Sequence, residues 1–211
     1  MRAAVDDELR RAILCRAATV AAPRHPDNAF RWGHAPQEVG ATDPTVTRTL
    51  GVMERDPYLR LRGFVTPTED LCDCAEPAVL QLMYALTSNP ICCLYCNREV
   101  PPERIDLSVE LVDQVASWNS LYGAFYTLWL DSGEWEAFAV CQLQDPQGRL
   151  VQAGLDIVHE LSKVRPAYLA WHSDEAKKHE GCPRCDGELD DVDTRIGTRH
   201  RCESCRIVLF A

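Results

Sequence analysis

"GCPRCDGELDDVDTRIGTRHRCESCRIVLF" (Gly181–Phe210) carries two cysteine pairs, Cys182-x-x-Cys185 and Cys202-x-x-Cys205, with sixteen residues between them. A two-residue spacer lets a tight turn aim both sulfurs at one point, and two such knuckles at the ends of a hairpin complete a tetrahedral four-sulfur site. Gly187, just after the first pair, and Gly197, between the pairs, supply turn geometry. Three short strands are expected at 188–194, 198–201 and 206–210. A unit this small cannot hold itself together by core burial, so bound metal must provide most of its folding free energy. The stretch reads as a zinc ribbon with Cys182, Cys185, Cys202 and Cys205 as ligands; two unrelated pairs of core cysteines are a poor account of the spacing.

Upstream, "LCDCAEPAVL" (Leu71–Leu80) and "ICCLYCNREV" (Ile91–Val100) hold five of the eleven cysteines. Cys93-x-x-Cys96 has knuckle spacing, whereas Cys72-x-Cys74 is tighter and weak by itself. Between them, "AEPAVLQLMYAL" places Val79, Met83 and Leu86 at helical spacing, with Pro77 in the first turn, which predicts a helix over 75–87. Cys72, Cys74, Cys93 and Cys96 are then expected to form a second cage clamping both ends of that helix, with Cys92 left over. Buried, metal-free thiols are the alternative.

Composition narrows what such a chain does. It has 211 residues, 46% of them hydrophobic, enough for a substantial core. No secretory leader is visible, and the densest apolar run, "SLYGAFYTLWL", falls short of the roughly 18 residues of a membrane helix. A soluble, cytoplasmic protein is expected, in which clustered thiols serve as metal ligands more often than as staples. The net charge is −10. Residues 1–62 hold ten Arg and eight Asp+Glu, so the remainder, with 12 basic and 24 acidic residues, carries −12. Four thiolates around a divalent ion add −2, so two filled cages would add −4 and bring −10 to −14. That balance argues against non-specific nucleic-acid binding, which rests on neutralising phosphates. No phosphate-binding loop, nucleophile elbow, zinc-protease helix or dinucleotide fingerprint is present, so no small-molecule cofactor is evident.

Elsewhere the pattern predicts a helix at 1–12, irregular chain over 22–47, a short strand in "YLRLRGFV" (Tyr58–Val65), and a long helix at 108–130. In the last, Leu111, Val115, Trp118, Tyr122, Phe125 and Trp129 form one apolar face, which reads as core and not as a base-stacking platform. Further helices are expected at 134–143 and 149–163, with Val151, Leu155, Val158 and Leu161 inward. A buried strand is expected at 166–171, followed by a charged connector at 172–180. Cys15 and Cys141 read as small core residues, and His159 and His172 as satisfied surface or core histidines, because no nucleophile–base motif accompanies them. His200 stands beside a ribbon site already filled by four cysteines, and the acids Asp131, Glu134 and Glu136 read as solvated or capping.

The order Cys72, Cys74, Pro77, Pro90, Cys93, Cys96, Val100, Pro101, Trp118, Tyr122, Gly154, Cys182, Cys185, Cys202, Cys205 resembles an uncharacterised bacterial zinc-ribbon family, domain of unknown function 2310. That family's label couples a zinc ribbon to nucleic-acid binding. The likeness covers about residues 70–210. Asp186 departs from it, standing where the family usually has Gly after the second ribbon cysteine.

The expected architecture is α+β: a mostly helical body with an internal four-cysteine zinc clip, and a C-terminal β zinc ribbon. Residues 1–70 form an unassigned N-terminal region, 71–178 the body and 179–211 the ribbon. Two structural zinc ions per chain are expected. The closed sites argue against an enzyme, because catalytic zinc keeps an open position for water. The expected function is a binding module whose partner is a nucleic acid or a protein, with no membrane association. Arg195, Arg199, Arg201 and Arg206 on the ribbon are the candidate contacts, although pairing with Asp190, Asp191 and Asp193 competes for them. The alternative is an immunity- or antitoxin-like protein whose acidic surface covers a basic partner.

Overall fold

The computed structural model describes residues 56–63, 66–172 and 180–210. The expectations for 1–12 and 22–47, Cys15, and most of the connector at 172–180 lie outside the described residues.

Among the described residues, three helices, α1 (Val109–Asp131), α2 (Glu136–Gln144) and α3 (Arg149–Leu161), accompany six strands: β1 (Leu80–Leu82), β2 (Ile91–Cys93), β3 (Ala167–Ala170), β4 (Asp190–Thr194), β5 (Gly197–Cys202) and β6 (Ile207–Phe210). The strands form one mixed sheet in the order β2-β1-β3-β6-β5-β4. The β1–β2 pair is antiparallel with Leu80 opposite Cys93, β3 runs parallel to both β1 and β6, and β4, β5 and β6 form an antiparallel meander.

The long helix forms where its apolar stripe predicts. Ser108 caps it, its hydroxyl accepting from the Leu111 N–H at 3.2 Å. Leu111, Val115, Trp118 and Tyr122 are buried, and Phe125 and Trp129 pack partly buried against the same core. That core lies between the helices and the sheet face made by Leu80, Leu82, Ile91, Ala167, Leu169, Ile207 and Leu209. Gly154 permits the close approach of α3: a Cβ there would sit 2.9 Å from Leu169 and 3.0 Å from the Trp118 indole nitrogen. That indole N–H donates to the Leu150 carbonyl at 3.1 Å.

The other sheet face carries a second, smaller core of Leu94, Tyr168, Ala170 and Val208, with Val79, Met83, Val192 and Phe210 packed around it. Leu94 follows β2 and Val192 lies in β4, strands at opposite edges of the sheet. Their presence in one cluster means that the sheet curls until its edges approach. The seam is bridged by the Arg195 N–H, which donates to the Tyr95 carbonyl at 2.8 Å.

Four expectations change. The class is α+β, but the body is a three-helix layer on a sheet and not mostly helical. The segment 75–87 is no helix: it holds β1, flanked by bends and irregular chain. A helix of thirteen residues would be about 20 Å long and would hold Cys74 away from Cys93, whereas the β1–β2 pairing brings the two together. Val79 and Met83 belong instead to the second core, and Leu86 is exposed. Tyr58–Val65 contains a 3-10 turn at Leu59–Leu61 where a strand was expected. Finally, the ribbon shares its sheet with the body, because β6 pairs with β3.

Candidate metal centres

Four sulfurs converge twice, from Cys182, Cys185, Cys202 and Cys205 and from Cys72, Cys74, Cys93 and Cys96, each set with its ligand atoms within 4.8 Å of one another. Each group has the make-up to hold a metal ion. In the ribbon the Cys185 and Cys202 sulfurs are 3.7 Å apart. A tetrahedron with metal–sulfur bonds of about 2.3 Å has edges of about 3.8 Å, so this pair already stands at ligand spacing.

Three of the four cysteine pairs share one local fold. The Asp186 N–H donates to the Cys182 carbonyl and the Asn97 N–H to the Cys93 carbonyl, both at 2.8 Å. The Cys182 N–H donates to Gly187 and the Cys93 N–H to Arg98, both at 2.9 Å, and Cys202 pairs with Ile207 at the same five-residue offset. The residue after each second cysteine is left-handed, with φ of 59° at Asn97, 55° at Asp186 and 54° at Arg206. Asn and Asp tolerate that region because their short polar side chains bond locally. Asp186 therefore suits the knuckle's left-handed position.

Cys72-x-Cys74 is held differently, from outside. The Arg104 guanidinium donates to the carbonyls of Cys72 at 2.7 Å, Cys74 at 2.6 Å and Ala75 at 3.1 Å. The Cys72 N–H donates to the Glu99 carbonyl at 2.7 Å. One cation thus shapes the loop and stands beside a cluster that becomes anionic when its thiols ionise. Between the two cysteines, Asp73 pairs with Arg195 at 2.8 Å and Arg98 at 3.3 Å. Nothing in the spacing of Arg104 marks it, because its partners lie about thirty residues away.

The thiols within each cluster differ in how readily they ionise. In the ribbon, burial pushes the Cys202 thiol up, but hydrogen bonds from Ser204, the Cys205 backbone and neighbouring thiols overcome this and bring it down to about 7. Cys205 is pushed up to about 12, by burial first and then by the surrounding thiols. In the clip Cys72 is lowered although burial opposes it, chiefly by the Cys74 backbone and the Cys96 thiol, while burial raises Cys96. In each cluster one thiol is lowered and at least one neighbour is raised, so a central positive charge would favour full ionisation.

The four ribbon arginines do not form one cationic patch. Arg195 pairs with Asp73 and lies over the Tyr95 ring. Arg206 pairs with Glu203 at 2.9 Å and, like Arg201, lies over Tyr168, whose hydroxyl donates to Glu203. Arg199 is buried against Phe210. Asp191 pairs with His200 at 2.7 Å, so this histidine is occupied away from the cysteines.

Cys92 is buried outside both clusters. Cys141 is buried in α2, yet it is disulfide-bonded and so is not the unpaired core thiol expected. A cavity of about 400 Å³ opens between the clip and β4, floored by Cys93, Leu94 and Val79 and faced by Val192. Among the described residues no helix is long and apolar enough to cross a membrane.

Compared with known proteins, the chain matches no family model, no curated protein and no solved structure.

Proposed function

We propose that the chain is a non-catalytic interaction module whose two sets of four cysteines each hold a structural zinc ion. The observation that carries this reading is the convergence of two all-cysteine clusters, each with its ligand atoms within 4.8 Å. Four soft sulfur ligands in a tetrahedral array suit zinc, and four thiolates leave no position for a reacting water.

The partner we favour is a protein with a basic surface. The chain carries −10, and two of the four ribbon arginines, Arg195 and Arg206, are held by carboxylates within 3 Å, at 2.8 and 2.9 Å. Nucleic-acid binding through the ribbon is the weaker reading for the same reason.

Metal analysis of the purified chain should give about two zinc ions, and Cys74→Ser should remove one. One zinc in the wild type, unchanged in that variant, would sink the clip. Capture of a basic protein free of 260 nm absorbance supports the protein partner. Co-purifying oligonucleotide that is lost when Arg195, Arg199, Arg201 and Arg206 are all changed to Ala supports the nucleic-acid reading instead.

A further inference from the structure

The chain has 32 acidic residues against 22 Lys and Arg, yet its one arginine buried among the described residues faces none of them. Arg199 is 9% exposed. Its guanidinium carbon lies 3.7 Å from the Phe210 ring centroid. Its Nε is sealed from solvent without an acceptor, and no ion pair or hydrogen bond from its side chain exists among the described residues. Burial pushes its pKa down. A buried charge without a counter-charge is costly, and in an acid-rich chain scarcity of carboxylates cannot be the reason for it.

Arg201 stands two residues along β5 on the same face: Arg199 is opposite Phe210 and Arg201 opposite Val208, both members of the concave core. Its Nε is also sealed and without a hydrogen bond. The nearest carboxylates, Asp190 and Glu203, are at 3.9 Å, beyond hydrogen-bond reach. Its guanidinium lies over Tyr168 at 5.6 Å. Positions two apart on a strand are roughly 6.8 Å apart, close enough for one tetrahedral oxyanion to meet both forks.

We propose that Arg199 and Arg201 form a binding site for a single phosphate monoester group on the concave face of the sheet. The ring contacts hold the guanidinium planes, so little side-chain freedom is lost on binding. A carboxylate is satisfied by one fork, whereas a phosphate dianion offers three oxygens to two. Arg206 adds a third cation over Tyr168 with Glu203 beside it, and Asp190 stands near Arg201, so three cations against two carboxylates leave a positive excess that a bound phosphate offsets. This site is independent of the protein-partner reading.

The experiment is thermal unfolding of the metal-loaded chain in inorganic phosphate, acetate and chloride at matched ionic strength. Phosphate should raise Tm by a few degrees beyond the other two salts. Arg199→Met should remove that response while leaving Tm in chloride unchanged or higher, and Arg199→Lys should lose most of it. An equal response to all three salts, or a phosphate response that persists in Arg199→Met, overturns the proposal. Should Arg199→Met fail to fold, titrating the wild type with phosphate while following the Arg199 Nε–H NMR signal decides: movement supports the site and none overturns it. A mononucleotide should bind more tightly than an oligothymidylate of equal phosphate concentration; the reverse order overturns the monoester assignment.

Discussion

Arg195, at the tip of the β4–β5 hairpin, donates from one Nη to both carboxylate oxygens of Asp73, at 2.8 and 3.1 Å, across 122 residues of chain. Asp73 sits between two clip cysteines and Arg195 between two ribbon strands, so this pair ties one candidate metal centre to the other. Together with the Arg195 N–H on the Tyr95 carbonyl, it fastens the seam of the curled sheet.

The pair gives a pH signature. The Arg195 hydrogen bond holds the Asp73 carboxyl below its usual range. A depressed carboxylate stabilises the fold above its unfolded pKa, about 3.9, and that contribution is lost as pH falls through the folded value. Arg195→Ala should lower Tm slightly at about pH 6, because both groups are exposed, and the gap should close toward pH 3. A gap constant with pH would locate the effect elsewhere at the seam.

Arg104 is the residue on which the clip's irregular half depends. Arg104→Ala leaves three carbonyls without their donor and removes a cation beside the thiolates. Loss of such supporting contacts typically lowers metal affinity roughly 10- to 100-fold. Zinc release to a chelator should accelerate for one of two ions and stay unchanged for the other. Loss of both at equal rates would show that Arg104 serves the whole fold.

At Asp186 the backbone is left-handed. Asp186→Gly should keep ribbon stability or raise it, whereas Asp186→Val should cost about 1–2 kcal/mol relative to Gly. The comparison is read from Tm with the metal content of both variants checked. Equal stability of the two variants would contradict the left-handed assignment.

Cys92 tests the opposite pH range. Burial, with Glu99 nearby, pushes its thiol up to about 12. In the unfolded chain it ionises near 8.5, so above that pH the unfolded state binds fewer protons than the native one and stability falls. Relative to Cys92→Ala, the metal-loaded wild type should lose up to about 1.4 kcal/mol per pH unit above 8.5. Alkylation mapped by mass spectrometry should leave Cys92 unmodified in the native protein, and the Ala variant should keep its full metal content.

The two cysteine clusters were legible because their signal is local. A Cys-x-x-Cys turn is closed by hydrogen bonds within six residues, so spacing alone identifies three of the four half-sites and, by complement, suggests the fourth. The long helix was legible for a similar reason, its stripe repeating over about five turns. Residues 75–87 misled because Val79, Met83 and Leu86 stand at helical spacing but flank a three-residue strand that is buried on both faces. Leu80, Gln81 and Leu82 are all fully buried, and what selects the strand is pairing with β2 and β3, the second more than eighty residues away.

The grouping of the cysteines, the positions of α1 to α3 and the acidic charge can all be read along the chain. That the ribbon is part of the body's sheet, that Arg104 builds the clip, and that the four ribbon arginines are divided between pairing, stacking and burial emerges from the fold alone. Knuckles and amphipathic helices are set by neighbours in sequence. Strand partners, the curl of a sheet and the counter-charge of an arginine are set by residues that meet only when the chain has folded.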